Sequence, residues 1–413
     1  MRSYRELFRT PEFGPLFLAT GAGTAAQTVA GLALATQVHR ATGSPLLAAV
    51  SMFGPSLAQV VGATFFLSAA DRVPPRAALT VLSLTFAAGT ALLAVPGLPL
   101  GSLFAVILLM GLVASVGGGI RWGLLNEILP KDGYLLGRSV FNMMNGLTQI
   151  TGFATAGVLT TVLSPRLTLT LAAALHLASA LVTARGLAAR RPRGSGRPSI
   201  AATWRTNAVL WSSRPRRLTY LGLWLPNGLV VGCESLFVPY DPGSAGVLLA
   251  CAALGMFVGD VGVGRFLSPA RRAGLAHPLL LLLAAPYLLF PLHPSLPLAA
   301  FLAALASTGF AASLIQQERL MSLTPPALSG HALGLHSAGM LTMQGTAATL
   351  AGTIAQFTSP AAAMGTMAAL SLTVTGGLAM AGRRGGVRRV RRVRPSAPAA
   401  TALNGDSPEQ RPS

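Results

Sequence analysis

The sequence predicts an all-α membrane protein whose twelve transmembrane helices form two pseudo-symmetric six-helix bundles. Three observations carry that expectation: a lipid-like composition, a regular series of apolar segments and a one-sided distribution of positive charge. Hydrophobic residues make up 52% of the 413 and charged residues 10%, with a mean hydropathy of +0.59. A soluble domain carries about 25% charged residues, so most of this surface must face lipid. Helices are required because open sheet edges would leave backbone groups unpaired in hydrocarbon. All but Arg40 and Arg166 of the 31 Lys and Arg residues fall at the termini or in alternate loops. Cationic loops resist translocation, so both termini are expected in the cytoplasm of a bacterial inner-membrane protein.

A crossing needs about 20 apolar residues, and twelve segments qualify. They lie near 14–38, 45–67, 77–95, 102–120, 138–163, 166–184, 217–239, 244–264, 275–292, 295–316, 331–356 and 360–381. Residues 1–13 are polar and the stretch after them is long enough to span, so the first segment is expected to be retained and not cleaved as a signal. The ninth segment, which holds Pro278, Pro286 and Pro291, is the weakest match to a spanning helix. Cys233 and Cys251 fall inside spans and read as small core hydrophobes with no disulfide.

The longest loop, 185–216, begins with an Arg, Pro and Gly stretch expected to be flexible. Its second part spaces Ile200, Trp204, Ala208 and Trp211 by four and three, with Arg205 close by. Either an amphipathic helix lies there on the inner leaflet, or the Trp residues cap the seventh span. The expected organisation is a bundle over 1–184, a linker over 185–216, a second bundle over 217–382, and a basic then disordered tail over 383–413. A net charge of +20 would suit nucleic acid on one folded face. Spread over short loops and a tail, it points to anionic membrane lipids and to no nucleic acid.

The halves echo each other at an offset of 193 residues. Asp71-Arg72 corresponds to Gly264-Arg265, and Gly137, Gly146 and Gly152 correspond to Gly330, Gly339 and Gly345. A duplicated architecture follows.

Three stretches then resemble a known family. They are the entry LFRTPEFGPLFLATGAGTAAQTVAGLALATQVHRATGSPLLAAV, the loop SAADRVPPR, and the segment IRWGLLNEILPKDGYLLGRSVFNMMNGLTQITGFATAG. Together they resemble the major facilitator superfamily, and most of all its bacterial siderophore and macrolide efflux branch. The resemblance implies that Asp71, Arg72 and Arg76 match the charged positions of the loop signature between spans two and three, a latch that biases which side is open. Leu67 replaces its first Gly, and Pro74 and Pro75 replace its Gly-Arg. Gly152 and Gly157 keep the outer glycines of the span-five motif of antiporters, while Phe153 and Ala156 depart from it. Small residues there also suit simple helix packing.

Ionisable groups inside spans are functional candidates by default. Glu234, deep in span seven, either carries a proton as the cavity alternates or hydrogen-bonds a neighbouring helix. Asp260, near the cytoplasmic end of span eight with Arg265 nearby, fits a second latch better than a proton carrier. Arg121 with Glu127, and Glu318 with Arg319, are candidate intracellular gate pairs, or ordinary charge at helix ends. Gln27, Asn142, Asn145, Gln149, Asn227, Gln316, His336 and Gln344 are candidate substrate-cavity residues. Asn142, Asn145 and Gln149 share one face of span five that is too polar for lipid. With Met143, Met144, Met340 and Met343 nearby, that stripe faces either an adaptable pocket or a packed neighbour.

No Gly-x-x-x-x-Gly-Lys-Ser/Thr loop is present, so this chain is not expected to hydrolyse ATP, and ion gradients remain as the energy source. The six His residues show no metalloprotease spacing. The expectation is a monomeric secondary transporter with no cofactor and no metal, exporting a hydrophobic or amphipathic small molecule in exchange for protons. An uptake permease of the same fold is the alternative, and a membrane-embedded enzyme or lipid-handling protein is disfavoured.

Overall fold

The computed structural model describes residues 4–66, 73–192 and 200–392, and the regular structure among them is helical throughout. A short α1 (Tyr4–Arg9) leads into α2 (Phe13–Thr42), α3 (Pro45–Phe66), α4 (Pro75–Leu93), α5 (Leu100–Ile128), α6 (Lys131–Val162) and α7 (Pro165–Gly186). A linker helix α8 (Ile200–Ser212) precedes α9 (Arg214–Glu234), α10 (Phe237–Tyr240), α11 (Ala245–Phe266) and α12 (Pro269–Ala284). The chain ends with α13 (Leu296–Thr308), α14 (Ala312–Ser322), α15 (Ser329–Phe357) and α16 (Pro360–Arg392). Pro45, Pro75, Pro165, Pro269 and Pro360 each open a helix, where a missing N–H costs nothing and the fixed φ suits the first turn. Gly43, at φ 63°, closes α2 by returning its N–H to the His39 carbonyl.

Among the described residues, ten segments built from these elements are long and apolar enough to cross a bilayer, with α9 and α10, and α13 and α14, each counting as one. The two long helices that are not, α6 and α15, are the pair related by the 193-residue offset. Both pack across the seam as well as within their own half: α6 on α2 and α11, and α15 on α3 and α9. The polar stripe of span five is split: Asn142 is exposed, while Asn145 and Gln149 are half-buried.

We call the face that carries α1 and α8 the terminal face, and the opposite one the distal face. At the distal face one apolar cluster joins the halves, running from Val29, Leu32 and Ala156 to Leu236, Phe237 and Leu248. Toward the terminal face the clusters stay within one half: Leu7, Phe13, Leu125 and Phe141 in the first, Tyr220, Leu223 and Leu320 in the second. Ser44 Oγ also donates across the distal seam to Gln356 Oε1, 2.7 Å away. The molecule is thus zipped distally and parted at the terminal face.

Glycines set how closely the halves meet. A Cβ on Gly157 would strike Gly246 Cα, one on Gly352 the Leu46 backbone, and one on Gly345 the side chain of Leu57. The matched glycines divide this work. Gly152 and Gly339 admit Thr28 and Trp224 of their own halves, whereas Gly146 and Gly345 admit Phe257 and Leu57 of the other.

Three features differ from the expected elements. The seventh, ninth and tenth segments are interrupted: α9 stops at Glu234 before α10, residues Ala285–Leu292 wind as a 3-10 helix, and Gly309–Ala311 do the same between α13 and α14. Pro239 and Pro286 account for two breaks, since each lacks an N–H and crowds the carbonyl four residues before it. Gly309 accounts for the third, because a Cβ there would meet the Leu279 and Leu283 backbone. The last helix runs on through the basic residues to Arg392 where a stop was expected, and residues 393–413 lie outside the described residues.

The third difference is the linker. Arg190, expected in a flexible stretch, is held by two carboxylates as set out below. The two Trp residues differ: Trp204 is 63% exposed on α8, while Trp211 stacks on Trp224 of α9 with centroids 5.6 Å apart and rings 10° from parallel. Arg216 fastens α8 by donating to the carbonyls of Val209 (2.9 Å) and Leu210 (3.0 Å), and to Leu323 at the end of α14 (3.2 Å).

Candidate functional site

The parted seam is walled by α6, α11, α3 and α15. Gly157 opposite Gly246 and Gly146 opposite Phe257 fix an antiparallel register between α6 and α11. Continued toward the terminal face, that register sets Asp260 opposite the turn of Asn142 and Met143, and all three are exposed. Asp260 makes no ion pair with Arg265, which is also exposed. Asp260 thus falls on the seam-facing side of α11 without an ion pair to Arg265.

The remaining cavity candidates separate into two groups. Asn145 is half-buried and its Oδ1 accepts from Thr24 Oγ1 at 3.2 Å, tying α6 to α2. Gln149 and Gln344 are half-buried on α6 and α15, and Gln27 is exposed on α2. Asn227, Gln316 and His336 are buried instead. Asn227 Nδ2 donates to Leu223 O at 2.6 Å and to Ser313 Oγ at 3.1 Å, so it pairs α9 with α14. Gln316 Oε1 abuts Gly222, and the His336 carbonyl accepts from Trp224 Nε1 at 3.1 Å.

Glu234 lies where the three interrupted segments of the second half converge. It is buried at the end of α9, and its Oε1 accepts from Ser307 Oγ of α13 at 3.2 Å. Tyr287 is fully buried in the 3-10 stretch beside Ser307 and Glu234. Discontinuous helices free backbone groups inside a membrane and commonly bound ion sites. Ser307 and Tyr287 were not singled out from sequence, because a lone Ser or Tyr in an apolar run carries no signal without its neighbours in space.

At the terminal face the gate pairs form with different partners. Arg121 does not pair with Glu127, nor Glu318 with Arg319, which stays exposed. Glu127 Oε2 lies 3.6 Å from Arg190 Nε, and Arg272 Nη1 lies 2.7 Å from Glu318 Oε1. Arg272 also donates to the carbonyls of Leu267 (2.8 Å) and Gly264 (2.9 Å), so it ties the end of α11 to α14 in the place expected for Arg265. Arg76 is half-buried at the start of α4, while Asp71 and Arg72, its expected companions, lie outside the described residues.

Arg190 makes the tightest of these contacts. Its guanidinium forks onto both Glu12 oxygens at 2.6 and 2.8 Å, and Glu12 Oε2 also accepts from the Ala188 N–H at 2.8 Å. These donors, Arg190 foremost, hold the Glu12 carboxyl below the usual carboxylate range against some desolvation. Glu12 sits at φ 70°, a left-handed conformation that costs a non-glycine residue about 1 kcal/mol or more and persists only where its surroundings impose it. The stability from this clamp is present above the ordinary carboxylate range and is lost as pH falls through the depressed value for Glu12. Glu12→Gln is accordingly expected to lower stability at neutral pH by about 1 kcal/mol. The difference from the unmodified protein, followed by thermal unfolding, should close in acid. A difference that is constant with pH would disprove the assignment.

No family model and no curated protein matches the sequence. Solved structures do match. The chain aligns over 90% of its length with 96% of a POT family transporter bound to a thioalcohol-conjugated peptide, at 12% identity and a TM-score of 0.72. It aligns over 89% with 99% of the nucleoside transporter NupG at 13% identity and a TM-score of 0.73. It aligns over 94% with 98% of a bacterial homologue of the human lysosomal transporter Spinster, in an inward-facing and unoccupied conformation, at 15% identity and a TM-score of 0.68. Identities this low speak for the fold alone. These similarities and the zipped, interrupted helix bundle together show that the chain is a multi-pass membrane protein with the fold of major-facilitator-type transporters.

Proposed function

We propose that this chain is a secondary active transporter of the bacterial inner membrane. It exports a hydrophobic or amphipathic small molecule such as a drug, antibiotic or siderophore in exchange for protons. Both termini and the terminal face are cytoplasmic in this reading, the twelve spans divide into bundles over 1–184 and 217–382, and the protein works as a monomer. The observation that carries the proposal is the seam between the halves: sealed distally by glycine contacts, open at the cytoplasmic side, and walled by the two least apolar long helices. A cargo entering from the cytoplasm meets Asn142, Gln149 and Gln344 together with Met143, a surface that mixes polar groups with an adaptable thioether. Asp260 at the cleft wall and Glu234 behind it are the proton carriers in this scheme, and Arg190 and Arg272 brace the cytoplasmic ends of their own halves.

Reconstitution in vesicles with an imposed pH gradient tests this reading. A panel of drugs and siderophores should include a compound that accumulates against its gradient, with accumulation abolished by a protonophore. Accumulation that persists without the proton gradient would refute proton exchange. The solved relatives include peptide and nucleoside transporters, which keeps uptake as the second reading. Movement with the proton gradient, not against it, would select uptake.

A further inference from the structure

The first bundle encloses a cavity of about 230 Å³ among α2, α3, α4, α5 and α7. Gln27 is the exposed residue among those lining it and marks its opening. Among the described residues that line it, none is Asp, Glu, Lys or Arg. Its wall offers the amide of Gln59 and the hydroxyl of Ser56 beside the thioethers of Met52 and Met110. Across from these, His176 lies flat on Phe86, with centroids 5.4 Å apart and rings 20° from parallel.

One hydroxyl in this wall is anomalous. Thr36, Thr80, Thr85 and Thr168 all turn their Oγ1 back to the carbonyl four residues earlier, at 2.8 to 2.9 Å. Thr90 lines the cavity, is fully buried, and has an Oγ1 with no hydrogen-bond partner among the described residues. A buried polar group without a partner costs stability. Its retention beside an empty space is explained when a ligand supplies the missing bond.

We propose that this cavity is a ligand subsite, and that it takes an uncharged small molecule carrying a flat ring with a hydrogen-bonding edge. Its volume corresponds to roughly eight waters of liquid, enough for one fused bicycle. A charged group would enter with no counter-charge in the lining, at a desolvation cost that nothing there offsets. The ring lies against Met52, Met110 and the His176–Phe86 pair, and its polar edge meets Thr90 and Gln59. The subsite rests on the transporter reading and deepens it by naming its cargo class.

The test is equilibrium dialysis of indole, a neutral bicycle with one N–H, against the full chain in nanodiscs, with empty nanodiscs subtracted for lipid uptake. Saturable binding is expected, with tryptamine and indole-3-acetate at least about tenfold weaker because each carries a charge. Thr90→Val should weaken indole about five- to tenfold by removing one hydrogen bond, without lowering the unfolding temperature, since it also removes an unpaired hydroxyl. Ser56→Phe should abolish binding by filling the space. Absent binding, equal binding of charged and neutral probes, or affinity unchanged in Thr90→Val would overturn the proposal. No gradient enters this measurement, so a failed subsite leaves the transport reading standing, and failed transport with intact binding does the reverse.

Discussion

Gly246→Val is expected to cut transport by tenfold or more and to part the distal seam. The Gly246 position has no room for any Cβ: it would strike Gly157 Cα and the Phe153 carbonyl of the other half. Overpacking of this kind costs about 1–3 kcal/mol, and here the cost falls only on the conformation in which the halves meet. A bias of about 3 kcal/mol shifts a two-state balance more than a hundredfold. Spin labels placed on the distal ends of α6 and α11 should move apart, and labels on their terminal ends should approach. Unchanged distances with transport lost would mean that Gly246 serves folding and not closure. Gly262 of the same helix has nothing within reach of a Cβ, so Gly262→Val provides the control and should transport normally.

Glu234→Gln should leave downhill exchange intact while uphill accumulation driven by pH falls about tenfold, the range typical of coupling between sites. The amide is nearly isosteric, and its oxygen can accept the same bond from Ser307 Oγ that Glu234 Oε1 accepts at 3.2 Å. Packing against Tyr287 and the ends of α9 and α13 is preserved, so what disappears is the capacity to gain and lose a proton. Asp260→Asn provides the comparison, because Asp260 lies at the cleft wall where solvent reaches it. If Glu234→Gln retains full pH-driven accumulation and Asp260→Asn loses it, the proton path runs along the seam and Glu234 is a packing residue.

The membrane spans were legible because lipid dictates composition: long apolar runs punctuated by Pro75, Pro165 or Gly43 leave few alternatives. The polar stripe of Asn142, Asn145 and Gln149 was legible for the converse reason, since it could not face hydrocarbon. Pairing of charges was not. Arg121 and Glu127 are six apart, and Glu318 and Arg319 adjacent, spacings that do not face each other on a helix. Their carboxylates instead found Arg190 and Arg272, whose partners are set by how helix ends converge in space. Asn227 illustrates the same limit: polarity within a span marked it as unable to face lipid, yet only packing decided between cleft and helix–helix bond. The helix breaks had a sequence cause in Pro239, Pro286 and Gly309, but their meeting around Glu234 is a property of the assembled bundle.

The modest apolarity of α6 and α15 also constrains how the protein is made. A nascent helix leaves the translocon when its partition into lipid is favourable on its own, and these two fall short of the composition that lets their ten neighbours do so. Each must therefore wait beside the channel for its packing partners, α2 and α11 or α3 and α9, to shield its polar face. Biogenesis becomes a sequence of dockings in which the helices that later slide past one another are the last to commit.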